Sequence, residues 1–266
     1  VLPNSNGFNA AISACEKSGR WSQALALLES MAQLHVAPDV ISYNAAISAC
    51  ARGGRWKLAL NLLKFMPFLR TEPDATTYAA ALSACDRGLQ WQSAIALFSS
   101  MSRSRVEANP ICCATAIKAC AGSGEWQRAL SLFSSMASLR LVPTDGCYNS
   151  VLDATFDRCT GQALFRQAVG AGVYPELIHP RLRTLDLHGL SVGAALLAVS
   201  VWLLQVLRSP TFGSSDRRTL QIITGWGKSS RDSRSVVKAA VLQTVEALGL
   251  IVVPQGNPGV VRIFTG

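Results

Sequence analysis

Acidic side chains are scarce in this sequence. Its 266 residues hold 16 Asp+Glu against 25 Lys+Arg, a net charge of +9 at pH 7. That excess fits a polyanionic partner such as nucleic acid, and it fits an ordinary basic protein equally. Charged residues of either sign make up only 15% of the chain beside 49% hydrophobic, which excludes a disordered tail and requires a packed core. There is no CxxC pair, and only Cys112 and Cys113 are adjacent, so the spacing of a zinc site is missing. Long apolar runs are lacking too. The 19 uncharged residues from Gly189 to Leu207 come nearest, but Ser191 stands as an N-cap while Ser200 and Gln205 interrupt the run. A helix covering a sheet accounts for it and a membrane span does not. The chain opens at Val1 and no targeting segment is visible in it.

What is present is a repeat. "AAISACEKSGRW" at residues 10–21 returns as "AAISACARGGRW" at 45–56, "AALSACDRGLQW" at 80–91 and "TAIKACAGSGEW" at 115–126. Cys15, Cys50, Cys85 and Cys120 recur every 35 positions, as do Trp21, Trp56, Trp91 and Trp126, and Met31, Met66, Met101 and Met136. A slot filled by Cys once per repeat needs no partner thiol, because a buried thiol behaves as a small hydrophobe. Phe8, Ala11, Ile12 and Cys15 fall at i, i+3, i+4 and i+7, one stripe of a helix, and Tyr43, Ala46, Ile47 and Cys50 repeat it. A Gly/Ser turn follows, and Trp21, Ala24, Leu25, Leu28 and Met31 draw a second stripe. Each unit closes on a turn carrying Pro, as at Pro38 and Pro73, where the ring blocks helix continuation. One such hairpin is marginal alone; stacked, the hairpins make a right-handed α-solenoid with a concave groove.

A 35-residue hairpin that begins aromatic-Asn-x-x-Ile and ends Pro-Asp resembles the pentatricopeptide repeat family; the Trp-Leu-Gly-Tyr pattern of tetratricopeptide repeats is missing. Five units are expected, at 5–39, 40–74, 75–109, 110–144 and 145–176. The fifth is three residues short and carries "TFDRCTGQAL" in place of a full inter-helix turn with Trp. In that family each repeat reads one base of single-stranded RNA, mainly through its fifth and last residues. Carried over, the resemblance implies the pairs Asn9 with Asp39, Asn44 with Asp74, Ala79 with Asn109, Ala114 with Thr144, and Asn149 with Glu176. An Asn amide offers a donor and an acceptor to a pyrimidine edge and a nearby Asp can orient it, so uracil preference is implied in the first two units. Ala79 and Ala114 cannot hydrogen-bond a base, which leaves Asn109 and Thr144 to discriminate. Ile41 and Ile111 would be apolar wedges against base faces. The competing reading is that each Asn caps or bridges within its hairpin and that so short a solenoid binds protein.

After Glu176 the period vanishes. Residues 177–266 hold 10 Lys+Arg against 4 Asp+Glu, whereas residues 1–176 hold 15 against 12. "RTLDLHG", "RTLQIITG", "LIVVP" and "VVRIFTG" read as strands, and "SVGAALLAVSVWLLQVL" and "SRSVVKAAVLQTVEALG" as helices. The expectation for 177–266 is therefore a small α+β domain with a four-stranded sheet and two helices. Alternation along the first strand puts Asp186 and His188 on one face. Thr224, Gly225, Trp226, Gly227 and Lys228 leave the second strand, where glycines permit close approach to a phosphate and Lys228 supplies a cation.

Leu-Asp-x-His and Thr-Gly-x-Gly in this order, with Asn257-Pro258-Gly259 before the last strand, resemble the small MutS-related (Smr) domain over about residues 182–266. The resemblance implies nucleic-acid binding and, in several members, endonuclease activity. It implies that His188 moves a proton to or from a ribose 2′-hydroxyl or water, that Asp186 orients it or holds Mg²⁺ or another divalent cation, and that Gly225, Gly227 and Lys228 hold the scissile phosphate. Many relatives have a His after the loop Lys, where this chain has Ser229, and His35 and His179 lie outside residues 182–266. A two-histidine mechanism is thus not expected. The structural alternative has Asp186 capping a loop and His188 satisfied by backbone. Trp226 stacks on a base or folds onto the core. Two functions are left open, an RNA-cleaving protein and a non-catalytic RNA-binding adaptor, with a protein-binding scaffold as a third. The pentatricopeptide resemblance implies mitochondria or chloroplasts as the location.

Overall fold

The computed structural model describes residues 4–175, 177–179, 184–208, 219–224, 235–253 and 259–264. The chain divides into two compact units, Val1–Cys147 and Tyr148–Gly266. The first unit is a stack of helical pairs: α1 (Ser5–Lys17) with α2 (Trp21–Gln33), α3 (Val40–Arg52) with α4 (Trp56–Phe65), α5 (Ala75–Arg87) with α6 (Trp91–Arg103), and α7 (Pro110–Gly122) with α8 (Trp126–Ser138). A 3₁₀ turn, Met66–Leu69, extends α4.

Local chemistry marks the boundaries. Asn4, Asp39, Asp74 and Asn109 stand in extended backbone as N-caps of α1, α3, α5 and α7, each accepting a backbone N–H three residues on. Within each pair the first helix ends on a left-handed residue: Gly19, Gly54 and Gly124 at φ of 67°, 70° and 77°, but Leu89 at 53° in the third. The recurrent Cys ends this turn, because the Cys15, Cys50, Cys85 and Cys120 carbonyls accept the closing N–H at 2.8–2.9 Å.

Packing follows the repeat. Ala46, Ile47 and Cys50, then Ala81, Leu82 and Cys85, then Ala116, Ile117 and Cys120 are wholly enclosed. Small Ala and Cys at the contact let successive first helices approach, while Met31, Met66, Met101 and Met136 fill the space under the second helices at 0% exposure. Burial pushes the Cys50 and Cys85 thiols up to about 11 and Cys113 to about 12, so these thiols fill space and are not nucleophiles at neutral pH. The Trp column acts between pairs. A Cβ at Gly53 would lie 2.3 Å from Trp21 Cδ1, and one at Gly88 would lie 2.6 Å from Trp56 Cδ1, so each ring seats on a glycine of the next pair. Arg55 places its guanidinium 4.8 Å over the Trp21 ring.

The second unit opens within α9 (Asp145–Thr155), continues through α10 (Cys159–Gly170), and adds β1 (Ile178–His179), β2 (Thr184–Asp186), α11 (Val192–Arg208), β3 (Thr219–Ile223), α12 (Val236–Ala247), β4 (Ile251–Val253) and β5 (Val260–Phe264). The sheet order is β1-β2-β3-β5-β4. Among the described residues β2 and β3 alone are parallel, with Asp186 opposite Ile223; the other pairs run antiparallel. Leu185, Leu220, Ile222, Val261 and Ile263 form the sheet's buried face, and α11 contributes Ala194, Leu197, Ala198, Val199 and Trp202. No helix among the described residues is long and apolar enough to cross a membrane.

Two expectations are corrected. Among the described residues the sheet has five strands rather than four, because Ile178 and His179 pair with Leu185 and Thr184 ahead of the first expected strand. Within the second compact unit α9 packs with α11: a Cβ at Gly193 of α11 would lie 2.8 Å from the Leu152 carbonyl oxygen of α9. His188 also lies beyond the strand, which ends at Asp186.

Candidate nucleic-acid interface

The fifth and last positions of a unit are 30 residues apart in sequence and side by side in the first two hairpins. Asn9 Nδ2 donates to both carboxylate oxygens of Asp39 at 3.2 Å, and Asn44 Nδ2 donates to Asp74 Oδ1 at 3.3 Å. The N-cap role explains why the carboxylates stand still. Asp39 Oδ1 accepts the Ser42 N–H at 2.8 Å, and Asp74 Oδ1 accepts the Thr77 N–H at 2.7 Å, each in a capping box closed by the Ser or Thr hydroxyl.

The two sites differ in two bonds, the second contact from Asn9 Nδ2 to its carboxylate and one made by the Ser42 hydroxyl. The Ser42 hydroxyl lies 2.6 Å from Asn9 Oδ1 and 2.9 Å from Asp39 Oδ1, so the first amide has both ends engaged, and Asn9 is buried. Thr77 Oγ1 donates to Asp74 Oδ1 at 2.8 Å and accepts the Asp74 N–H at 3.1 Å, and Asn44 Oδ1 is buried without a partner among the described residues. An orphaned acceptor of this kind costs about 1–3 kcal/mol. Ser42 and Thr77 were not among the residues expected at the site, although Asp-x-x-Ser and Asp-x-x-Thr are a legible capping signal.

The remaining positions are quieter. Ala79 and Ala114 are half-buried on α5 and α7. Asn109 accepts the Cys112 N–H at 2.8 Å as a cap, and Thr144 Oγ1 lies 3.5 Å from Cys147 Sγ. Ile41 and Ile111 project into solvent at 61% and 67% exposure. Asn149 belongs to the second unit, and its amide is engaged there by Gly189, Tyr174 and Ser191. Glu176 lies outside the described residues.

Burial acts to raise the Asp39 and Asp74 carboxyls, but the hydrogen bonds from Ser42 and Asn9, and from Thr77 and Asn44, outweigh it and hold both below the ordinary carboxylate range. A depressed folded pKa contributes stability above the unfolded value of about 3.9 and loses it as pH falls through the folded one. Asn also caps helices well, so Asp39→Asn/Asp74→Asn keeps the caps and removes the titration. In chemical denaturation the double variant should be less stable than the parent at pH 6, and that gap should close as pH drops below about 4. A gap unchanged down to pH 2 would deny the carboxylates this role.

In the second unit Asp186 and His188 meet through a turn. Asp186 Oδ1 accepts the His188 N–H at 2.9 Å and lies 2.6 Å from Nδ1, while Gly189 takes φ +76°. Strand alternation does not bring them together; an Asx turn just past β2 does. A carboxylate only accepts, so Nδ1 carries the proton and the lone pair is left on Nε2 of a ring 62% exposed. The Leu187 N–H donates to the Ile223 carbonyl at 2.9 Å, so the turn leaves the same sheet edge as the segment after β3. That edge, where parallel strands end, is where open α/β sheets bind ligands. Thr224 is buried there, donating to the Gly259 carbonyl from its N–H at 2.9 Å and from its hydroxyl at 3.3 Å. Gly225, Trp226, Gly227 and Lys228 lie outside the described residues. Among the described residues no three His, Cys, Asp or Glu side chains converge, and Asp186 Oδ1 serves His188.

Residues 3–52 and 38–87 match the PPR repeat family model, and residues 111–141 match that of the single PPR repeat. The hairpins within those residues are similar to pentatricopeptide repeats. Solved structures carry the same fold. The PPR domain of Arabidopsis thaliana protein-only RNase P 1, in complex with tRNA, superposes with a TM-score of 0.55 at 13% identity, covering 66% of this chain and 93% of that one. Pentatricopeptide repeat protein PPR10 from maize gives 0.60 at 20% identity over 93% of this chain and 35% of that one. PPR10 in complex with an 18-nt psaJ RNA element gives 0.57 at 16% identity over 94% and 39%. This chain thus spans little more than a third of PPR10. No curated protein matches it in sequence.

Proposed function

We propose that this chain binds single-stranded RNA, its pentatricopeptide repeats selecting bases through the fifth-position and last-position side chains. The observation that carries the reading is the pairing of Asn9 with Asp39 and of Asn44 with Asp74, which presents an oriented amide from two successive hairpins. The RNA complexes of PPR10 and of protein-only RNase P 1 support it by fold. Uracil N3–H is the donor that Asn44 Oδ1 lacks, and a side-chain rotation would bring the two together; Asn9 Oδ1 already has Ser42. The second repeat should therefore discriminate more sharply than the first.

Fluorescence anisotropy with labelled single-stranded RNA tests this. An RNA carrying UU should bind more tightly than one carrying AA, Asn44→Ala should cut that preference about tenfold, and Asn9→Ala should cut it less. Affinity should fall steeply with salt, as phosphate contacts require. Equal binding of the two RNAs, or salt-insensitive binding, overturns the reading and favours a protein-binding scaffold.

A second reading, RNA cleavage by the C-terminal unit as an Smr-type domain, is favoured by the Asp186–His188 pair. Nε2 takes the proton of a 2′-hydroxyl, the 2′-oxygen attacks the adjacent phosphorus, and the P–O5′ bond breaks as the 5′-oxygen takes a proton from water, leaving a 2′,3′-cyclic phosphate and a 5′-hydroxyl while the imidazolium returns its proton to solvent. Lys228 and the loop glycines are proposed to hold the phosphate. Processing of transcripts within mitochondria or chloroplasts is the setting this reading fits.

A further inference from the structure

The fifth hairpin carries an Asn at the base-reading position, as the first two do, yet its surroundings are different. Asn149 Nδ2 donates to the Gly189 carbonyl at 2.9 Å. Its Oδ1 accepts from the Tyr174 hydroxyl at 2.9 Å and from the Ser191 N–H at 3.4 Å, and its backbone oxygen accepts from the Ser191 hydroxyl at 3.2 Å. Both lone pairs and one N–H of the amide are used, so no acceptor is left for a base edge.

One helical turn on, Asp153 Oδ1 accepts the Gly193 N–H at 2.7 Å. The first turn of α11 is thereby capped from α9, a donor that a helix start must otherwise leave to water. The contact has no slack, because a Cβ at Gly193 would lie 2.7 Å from Asp153 Cα. The residues held by Asn149 and Asp153, Gly189 to Gly193, are those that follow His188 and lead into α11. The hairpin also lacks the Trp by which Trp21 and Trp56 seat on the next pair.

We infer that the fifth hairpin does not read a base, and that Asn149 is instead the positioning residue that holds the Asp186–His188 turn through Gly189 and Ser191. The inference rests on the geometry of this unit and stands whether or not RNA is the ligand. Base selection then ends with the fourth hairpin.

Hydrogen–deuterium exchange on the whole chain, paired with binding to RNAs varied at the nucleotide a fifth repeat would read, tests it. Asn149→Ala should raise exchange at residues 187–193 at least tenfold while leaving α3 and α5 unchanged, and preference at the fifth nucleotide should stay within twofold of the parent. Asn149→Asp keeps the acceptor and loses the donor to Gly189, and Tyr174→Phe removes one donor alone. Both should give a smaller rise in the same segment, so the inference survives testing even if Asn149→Ala fails to fold. Unchanged exchange at 187–193 in these variants, or a fifth-nucleotide preference altered fivefold or more, overturns it. Absence of any RNA binding would sink the proposed function and leave this inference to be decided by exchange alone.

Discussion

Gly161→Ala should lower the melting temperature of the second unit by about 10 °C, from a loss of roughly 3 kcal/mol. Gly161 sits in the first turn of α10 with its Cα against the end of α9. A Cβ there would lie 2.2 Å from the Thr155 carbonyl oxygen, 2.8 Å from its carbon and 3.3 Å from Phe156 Cα. These are backbone atoms, and the oxygen already accepts the Arg158 N–H at 3.0 Å, so no rotamer change relieves the clash. Residues 156–158 are the whole connection between the helices, which makes glycine the condition for so short a turn. The same helix supplies the control. Among the described residues Gly170 has nothing within 4 Å of a Cβ, and its φ is not positive, so Gly170→Ala should be neutral or stabilising by up to about 1 kcal/mol through helix propensity. Calorimetry on the two variants decides the point: a Gly161→Ala melting temperature within 2 °C of the parent would mean that α10 can move away from α9 at little cost.

That turn was visible in the sequence only as a missing Trp and a deficit of three residues. The first four hairpins were legible because every signal repeats. Cys and Met columns mark the interior, the Trp column marks the seam between pairs, Pro marks the end, and Asp39 and Asp74 announce both an N-cap and the partner of an Asn. The fifth was not legible in the same way, because Asn149 has the local pattern of Asn9 and Asn44. What distinguishes it lies 40 and 42 residues downstream, at Gly189 and Ser191, and no periodicity links those positions to it. Ser42 and Thr77 show a related limit. Both close a capping box, yet only the Ser hydroxyl also reaches the preceding hairpin's amide. The Asp186–His188 pair was expected from strand alternation and is formed by a turn, because the Asp186 carboxylate captures the His188 N–H and Gly189 bends the chain away from the strand.

If the C-terminal unit cleaves RNA, His188→Ala should slow it by about 10²- to 10⁴-fold, the contribution of a positioned general base, while leaving affinity within twofold. Nδ1 is committed to Asp186 at 2.6 Å, so Nε2 is the only site on the ring that can take a proton from a 2′-hydroxyl. Added imidazole should restore part of the rate to the Ala variant, because it supplies the same lone pair in the space the ring vacates; a residue that only shaped the turn would show no such rescue. Asp186→Asn separates orientation from charge. Its amide oxygen can still accept the His188 N–H and keep the turn, but the imidazolium formed at proton transfer loses its counter-charge, and a charged hydrogen bond of about 1.5–3 kcal/mol corresponds to roughly a 10- to 100-fold loss. Single-turnover cleavage with saturating protein measures both variants free of any change in binding. Undiminished cleavage by His188→Ala would place the reacting groups elsewhere, and cleavage lost without imidazole rescue would reduce His188 to a structural part of the turn.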